Sequence, residues 1–238
     1  WARANATEIS DAQFDALAAF QARVLDVNKF MNLTAITDEK DFAEKHIIDS
    51  LTLLPYIPDG ASVIDIGSGA GFPGLVLRIM KKNIRLTLLD SLRKRIIFLR
   101  ETCELFGFDD VECVHSRAEE HKQMYDFCTA RAVASLDKLA GYALPLLKKN
   151  GVFLAMKSRD IADEIENAKP AIKKFGGSLE KISVVKISDE LERSIVAIRA
   201  VRDSEKIFRP DNRTFSRCEN VRKNRRHKNA VSREKNKP

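Results

Sequence analysis

A glycine-rich run is the feature of this sequence that most directly suggests chemistry. The motif Asp65-x-Gly67-x-Gly69-x-Gly71 follows a short apolar stretch, residues 62–66, which predicts a buried strand. Glycines are favoured in such a turn because the backbone bends sharply and comes close to a ligand, where a Cβ atom would clash. The motif therefore predicts a cofactor-binding loop at the end of a strand.

Two kinds of cofactor loop fit these glycines. Gly69-x-Gly71-x-x-Gly74 satisfies the G-x-G-x-x-G pattern of dinucleotide-binding proteins. That register, however, begins three residues after the predicted strand and places Pro73 inside the phosphate turn. The helix N-terminus that would hold a pyrophosphate is then displaced. The alternative is the loop of an S-adenosylmethionine pocket, and the neighbouring strand ends decide between the two.

Polar residues follow three further predicted strands. Asp90 ends the second strand, 23 residues after Gly67, where a carboxylate can accept both hydroxyls of a ribose, as NAD and S-adenosylmethionine pockets require. Ala118 and Glu119 follow the third strand, where a loop can close over an adenine edge. Arg131 follows the fourth. Because parallel strands end at one edge of a sheet, these positions predict a shared pocket for a nucleoside cofactor, and we expect S-adenosylmethionine.

The end of the fourth strand also restricts the reaction. Methyltransferases that act on exocyclic amines commonly carry an Asn/Asp-Pro-Pro-aromatic turn here, and Ala130-Arg131-Ala132 does not resemble it. Enzymes that methylate a pyrimidine carbon use a cysteine nucleophile, typically after a proline, and the sequence has no Pro-Cys pair. What remains is an acceptor that is already nucleophilic, such as guanine N7, which needs positioning and no general base. No catalytic side chain is therefore predicted.

Short apolar strands that alternate with helices predict the fold. The predicted strands are 62–66, 85–89, 111–115, 125–129, 151–156, 179–187 and 194–200, and the helices between them are 74–82, 92–106, 135–147 and 160–175. This order is typical of a Rossmann-like class I methyltransferase, an α/β protein with a doubly wound, mostly parallel, seven-stranded sheet and an antiparallel last strand. We predict a helical cap at residues 1–60, a cofactor-binding domain at 61–202 and a basic, disordered tail at 203–238.

Charge and composition narrow the class of protein. Residues 202–238 carry 13 Lys/Arg and 5 Asp/Glu, whereas residues 1–201 carry 28 and 29, so the net charge of +7 comes from the tail. A basic tail suits a nucleic-acid partner, although it can also serve only to solvate the chain end. No segment approaches the roughly 20 apolar residues of a membrane span, and no secretory signal is evident. The four cysteines and four histidines lack metal-ligand spacing, so we expect a cytoplasmic protein without a metal.

Several motifs, taken in order along the chain, resemble one known family. They are NKFMNLTAI (28–36), HIIDSL (46–51), DIGSGAGFPG (65–74), LDSLRKR (89–95), AEE (118–120), ARAVA (130–134) and AMK (155–157). From about residue 24 to residue 200, the chain is thereby similar to the bacterial ribosomal RNA small-subunit methyltransferase G family, also called the glucose-inhibited division protein B family. The resemblance implies S-adenosylmethionine-dependent methylation of guanine N7 at position 527 of 16S ribosomal RNA.

The resemblance also implies cofactor contacts and a partner. The implied contacts are Gly67, Phe72, Ala118, Glu119 and Arg131, to which the glycine motif and the second strand end add Gly69 and Asp90. For Phe72 and Arg131, the sequence alone indicates a position and no role. The implied partner is 16S ribosomal RNA, either free or in an assembly intermediate of the small subunit. We expect a monomer that does not bind membranes.

Some positions depart from the family pattern. Val27 stands where the family usually has a tyrosine, and Ser158 stands where it has a glycine. From residue 212 onward the tail does not resemble the proline-rich basic segment of the family, so no functional residue is assigned there. Two other functions stay open: an RNA- or ribosome-binding protein that keeps the fold without turnover, and a small-molecule methyltransferase. The intact cofactor residues count against the first, and the Asn32-Leu33-Thr34 motif and the basic tail count against the second.

Overall fold

The described residues form a seven-stranded sheet, as the sequence predicts. The computed structural model describes residues 2, 5 and 7–201. Its strands are β1 Ser62–Ile66, β2 Arg85–Asp90, β3 Glu112–His115, β4 Tyr125–Arg131, β5 Leu147–Ser158, β6 Gly177–Lys186 and β7 Glu192–Ala200. They lie in the order β3-β2-β1-β4-β5-β7-β6. The first five are parallel, and β7 is antiparallel to both β5 and β6. The carboxyl ends of β1 to β4 therefore lie side by side at one edge.

Helices cover both faces of this sheet. The α-helices of the described part are α1 Asp11–Met31, α2 Glu39–Phe42, α3 Asp49–Leu51, α4 Gly74–Met80, α5 Arg93–Leu105, α6 Leu136–Ala143 and α7 Ala162–Lys174. The central strand β1 is buried along its whole length and alternates its apolar side chains between two cores. Val63 packs in the core that contains α1, α4 and α5, whereas Ile64 packs in the core that contains α6 and α7. The predicted doubly wound arrangement is confirmed.

The region before β5 differs from the prediction. We expected one helix over residues 135–147, but α6 ends at Ala143, a 3₁₀ turn follows at Leu144–Leu146, and β5 begins at Leu147. Pro145 explains the early end, because proline lacks the N–H that an α-helix interior requires. The register between β4 and β5 also shifts near the start of β5. A Cβ atom on Gly151 would lie 2.9 Å from two carbonyl oxygens there, so only glycine fits this irregularity.

The N-terminal helices form the cap over one face, with α1 at its start. Ser10 precedes α1 and forms a capping box with Gln13. The hydroxyl of Ser10 accepts from the N–H of Gln13, and Oε1 of Gln13 accepts from the N–H of Ser10. Gln13 also donates to the carbonyl oxygen of Met80 at 3.0 Å, and Arg23 pairs with Glu101 at 2.9 Å. These contacts join α1 to α4 and α5. In the described part of the chain, no helix is long and apolar enough to cross a membrane. The predicted tail, 203–238, lies outside the described residues.

Candidate cofactor site

The glycine loop after β1 turns across the ends of the neighbouring strands. The N–H groups of Gly67 and Ser68 donate to the carbonyl oxygen of Leu89, at 2.7 and 3.1 Å, which ties the loop to the end of β2. Gly67 has φ +68°, and a Cβ atom on it would lie 2.6 Å from Cγ2 of Val133, in the segment after β4. Both its left-handed φ and this close approach favour glycine here. The loop therefore lies between the ends of β2 and β4.

Asp90 lies against this loop. Its Oδ2 accepts from the N–H of Gly69 at 3.0 Å, and its Oδ1 accepts from the N–H of Leu92 at 2.8 Å. Arg95, partly exposed on the first turn of α5, donates to Oδ2 at 3.3 Å. The carboxylate is thus held in one orientation by two neighbouring backbone segments. The structure brings together Gly67, Gly69 and Asp90, three of the residues predicted from the sequence.

The turn after β3 joins the same edge. The N–H of Ser116 donates to the carbonyl oxygen of Asp90 at 3.3 Å, which places the end of β3 beside the end of β2. A 3₁₀ turn, Ala118–Glu120, follows. Ala118 is buried within the core, whereas the side chain of Glu119 is exposed. Glu120 is exposed as well, so the turn offers its backbone and two exposed carboxylates to the pocket that was predicted for an adenine.

Asp65 supports the loop from below, a role that the sequence motif did not indicate. Its side chain is fully buried; Oδ2 accepts from the N–H of Gly74 at 3.2 Å, and Oδ1 accepts from the hydroxyl of Thr129 at 2.9 Å. It therefore joins the ends of the glycine loop to β4. Burial raises the pKa of Asp65 to about 6, although these hydrogen bonds and Arg131 oppose that effect.

Arg131 extends from the end of β4 into the N-terminal cap. Its Nη1 donates to the carbonyl oxygen of Lys45 at 2.8 Å and to Oδ2 of Asp49 at 3.2 Å. Burial raises the pKa of Asp49, against the attraction of Arg131 and Arg193. Because Ala130 pairs with Ile66 in the sheet, Arg131 is adjacent to the start of the glycine loop.

Phe72, another predicted cofactor residue, has its ring enclosed by the N-terminal cap. Its ring is 4% exposed and lies in the core of the cap, 5.1 Å from the ring of Phe20 and 5.6 Å from that of Phe42. Cζ of Arg131 lies 5.2 Å from the centre of the Phe72 ring. The ring of Phe72 therefore packs beside the guanidinium of Arg131.

Two cavities of the described residues lie away from the glycine loop. One of about 660 Å³ lies at the opposite edge of the sheet, where Tyr56, Asp126, Gly151 and Arg199 contribute to its walls. A second, of about 390 Å³, lies beside the start of α7. Neither is lined by any of the seven predicted cofactor residues. Over residues 2, 5 and 7–201, no group of three or more His, Cys, Asp or Glu side chains could hold a metal ion.

Comparison with known proteins adds a family to this geometry. The profile of the family GidB, described as rRNA small subunit methyltransferase G, matches residues 13–196. A protein named ribosomal RNA small subunit methyltransferase G from Alkaliphilus oremlandii (strain OhILAs) is 41% identical over 206 residues, which cover 83% of this chain and 86% of that protein. A protein of the same name from Clostridium botulinum (strain Loch Maree / Type A3) is 38% identical over 210 residues, with 84% and 88% covered.

Solved structures show the same fold at low sequence identity. TYW2 from M. jannaschii, solved in complex with AdoMet, has a TM-score of 0.55 at 17% identity and covers 69% of this chain and 77% of its own. The O-methyltransferase from Bacillus cereus, solved in complex with SAH, has a TM-score of 0.53 at 18% identity and covers 76% and 90%. These similarities confirm the predicted Rossmann-like methyltransferase fold.

Proposed function

The chain belongs to the rRNA small subunit methyltransferase G family, as the sequence predicts, and we propose that it transfers a methyl group from S-adenosylmethionine to small-subunit ribosomal RNA. We propose further that the acceptor is N7 of guanine 527 in 16S ribosomal RNA. The observation that carries the proposal is the meeting of the glycine loop, Asp90 and Arg131 at one sheet edge, all within the family match. We expect a cytoplasmic monomer that acts on free RNA or on an assembly intermediate.

In this proposal, the ribose of the cofactor binds at Asp90. The carboxylate already accepts from the N–H groups of Gly69 and Leu92, which orient it. A carboxylate has about four acceptor sites, so two of them serve the ribose hydroxyls. The hydrogen bond from Arg95 to Asp90 is the longest of the three, at 3.3 Å, and the Arg95 side chain is one-third exposed. A ribose hydroxyl can therefore replace Arg95 at Asp90.

The other two groups of the cofactor have partners on either side of Asp90. The adenine edge faces the turn with Ala118 and Glu119, whose start is tied to Asp90 through Ser116. The carboxylate of the methionyl part faces Arg131, a cation beside the glycine loop. Gly67 and Gly69 leave room for the cofactor to approach the backbone. The residues present therefore fit S-adenosylmethionine.

The reaction needs little from the protein beyond position. The sulfonium of S-adenosylmethionine makes its methyl group electrophilic without help from a side chain. Cys128, which lies within β4, is fully buried, and burial raises the pKa of its thiol, so it does not serve as a nucleophile. The acceptor must supply its own electron pair, which guanine N7 does. The chain then binds both partners, aligns them and excludes water.

The test is methyl transfer to defined RNA. Protein, labelled S-adenosylmethionine and 16S ribosomal RNA, or small subunits that lack the modification, should yield one labelled guanine. Borohydride and aniline then cleave the product RNA at that site, because N7 alkylation labilises the ring. RNA with 7-deazaguanine at the site should accept no methyl group, since a carbon replaces the nucleophile. Methylation of that analogue would assign the acceptor to another atom.

The same assay separates the two alternatives. A binding protein without turnover would retain the RNA and the cofactor but transfer no label. A small-molecule methyltransferase would leave RNA unlabelled and bind it no better than a neutral polymer. Asp126→Asn is a matched control for Asp90→Asn, because Asp126 lies at the start of β4, at the opposite edge of the sheet, and bonds to Ser62 and Lys148. Only the change at Asp90 should reduce transfer.

A further inference from the structure

We infer that His46 and Asp49, two residues of the N-terminal cap, are positioning residues that hold Arg131 in the orientation that binds the cofactor. This inference rests on the proposed function, because it assumes that Arg131 contacts S-adenosylmethionine. Both residues belong to the HIIDSL motif, which the cofactor contacts leave without a role. Together with Thr34, which bonds to His46, they are called here the arginine clamp.

Hydrogen bonds determine the protonation of the clamp. Nη2 of Arg131 lies 3.1 Å from Nδ1 of His46. Nδ1 also lies 3.1 Å from the carbonyl oxygen of Lys45, which can only accept, but that oxygen already accepts from Nη1 of Arg131. Because a guanidinium can only donate, the contact with Arg131 requires Nδ1 to accept, and we assign the imidazole proton to Nε2. Nε2 then donates to the hydroxyl oxygen of Thr34, at 2.8 Å. Burial, together with the charge of Arg131, lowers the pKa of His46 to about 4, so the ring is neutral near pH 7 and able to accept.

A break in regular helix geometry places the clamp. His46 lies in a π-helical turn, Ala43–Ile48, and Asp49 follows directly at the start of α3. Such turns are rare overall but frequent at functional sites. Here the carbonyl oxygen of Lys45 and the side chains of His46 and Asp49 all face the guanidinium. The ring of His46 also stacks on Phe72, at 4.8 Å and 18°, beside the guanidinium.

The charges at the clamp are not arranged for stability alone. Asp49 is buried, and its Oδ1 has no hydrogen-bond partner among the residues that the structure describes. Arg193 is the other cation that faces Asp49, at 3.9 Å from Oδ2. A buried carboxylate with one unsatisfied oxygen destabilises a fold, and buried ion pairs are often replaceable by apolar side chains. We therefore attribute the buried ion pair between Arg131 and Asp49 to the need to hold Arg131 in one orientation.

The protein contains a second ion pair with a buried arginine, which provides a control for the arginine side of the clamp. Its carboxylate, on Asp110, is 59% exposed, whereas that of Asp49 is 3% exposed. Arg78 pairs with Asp110 at 2.8 Å, its side chain is 10% exposed, and its Cζ lies 5.1 Å from the ring centre of Phe108. For Arg131 the corresponding values are 3.2 Å to Asp49, 15% exposure and 5.2 Å to the ring of Phe72. None of Arg78, Asp110 and Phe108 is a predicted cofactor residue, so this pair tests the effect of taking the ion-pair partner from a buried arginine away from the cofactor site.

The experiment compares cofactor binding in the two ion pairs. Binding of S-adenosylhomocysteine to the full chain is measured by calorimetry for the wild type, Asp49→Asn and Asp110→Asn. We expect Asp49→Asn to lower the affinity about tenfold or more, as removal of a charge-assisted hydrogen bond does, and Asp110→Asn to leave it within about twofold. Equal effects of the two changes would overturn the inference.

A double-mutant cycle tests whether Asp49 acts through Arg131. Arg131→Ala alone should weaken binding, and adding Asp49→Asn to it should cause no further loss, because nothing remains to be positioned. Additive losses would show that Asp49 acts by another route and would also overturn the inference. Circular dichroism of each variant identifies changes that arise from unfolding.

Two substitutions of His46 provide the same test if Asp49→Asn does not fold. His46→Phe keeps the ring on Phe72 but removes the acceptor, whereas His46→Asn keeps an acceptor near the position of Nδ1 and loses the ring. We expect His46→Phe to weaken binding and His46→Asn to retain most of it, and the reverse order would refute the clamp. A wild-type protein that binds no S-adenosylhomocysteine would instead refute the proposed function.

Discussion

Replacing Asp65 with asparagine should stabilise the protein near neutral pH. Asp65 is fully buried, and its pKa rises from 3.8 to about 6 because burial disfavours the charged carboxylate. A group whose pKa is raised by folding contributes its full stabilisation below its unfolded pKa, and that contribution is lost progressively as the pH rises to the folded pKa. The stabilisation from protonated Asp65 is therefore lost between about pH 4 and pH 6. Across this range, ionisation of Asp65 costs about 3 kcal/mol, since each tenfold change in proton affinity is ~1.4 kcal/mol.

Asparagine can satisfy the same neighbours without a charge. Its Oδ1 can accept from the N–H of Gly74, and its Nδ2 can donate to Thr129 once that hydroxyl rotates. The free energy of unfolding, measured with urea from pH 4 to pH 7.5, should thus become larger for Asp65→Asn than for the wild type as the pH rises. The difference should approach about 3 kcal/mol at most above pH 6.

Asp126→Asn serves as the control with the opposite sign. Burial raises the pKa of Asp126, but hydrogen bonds from Ser62 and Lys148 outweigh burial and lower that pKa to about 2. The ionised carboxylate of Asp126 therefore stabilises the fold above pH 3.8, and this stabilisation disappears as the pH falls toward 2. Asp126→Asn should accordingly lose stability at neutral pH. A constant difference between Asp65→Asn and the wild type across pH 4–7.5 would refute the reasoning about Asp65.

Further predictions concern the loop, the pocket and the tail. Gly67→Ala should reduce the free energy of unfolding by about 1–2 kcal/mol through its left-handed φ, and further through the clash of the new Cβ atom with Val133. Gly60→Ala carries the same strain, at φ +77°, with no atom within 4 Å, so the difference between the two thermal melts isolates the clash with Val133. Asp90→Ala should lower the affinity for S-adenosylmethionine about tenfold or more by calorimetry, while NAD should not compete in the wild type. Truncation after Val201 removes 13 Lys/Arg and should flatten the slope of log RNA affinity against log salt by roughly 0.7–0.9 for each phosphate that is no longer neutralised. An unchanged slope would assign RNA attraction to the body of the protein.

Local patterns in the sequence specify the order of the elements and the position of the cofactor loop. Apolar periodicity and turn residues are local, so they predicted all seven strands and the pairing of the last two as antiparallel neighbours. Because parallel strands end at a common edge, positions at strand ends were enough to bring Gly67, Gly69 and Asp90 together. The helix predicted over residues 135–147 ends at Ala143 instead, because Pro145 cannot donate within an α-helix.

The hydrogen-bond partners of Arg131 and Asp65, in contrast, are known only from the packed fold. Arg131 meets His46 and Asp49 across 85 and 82 positions of the chain, and Asp65 meets Thr129 across 64. No local pattern encodes a pairing over such distances, because the pairing exists only after the cap and the sheet have packed together. The burial that shifts their pKa values likewise arises from packing, since each of these groups would be hydrated in the unfolded chain.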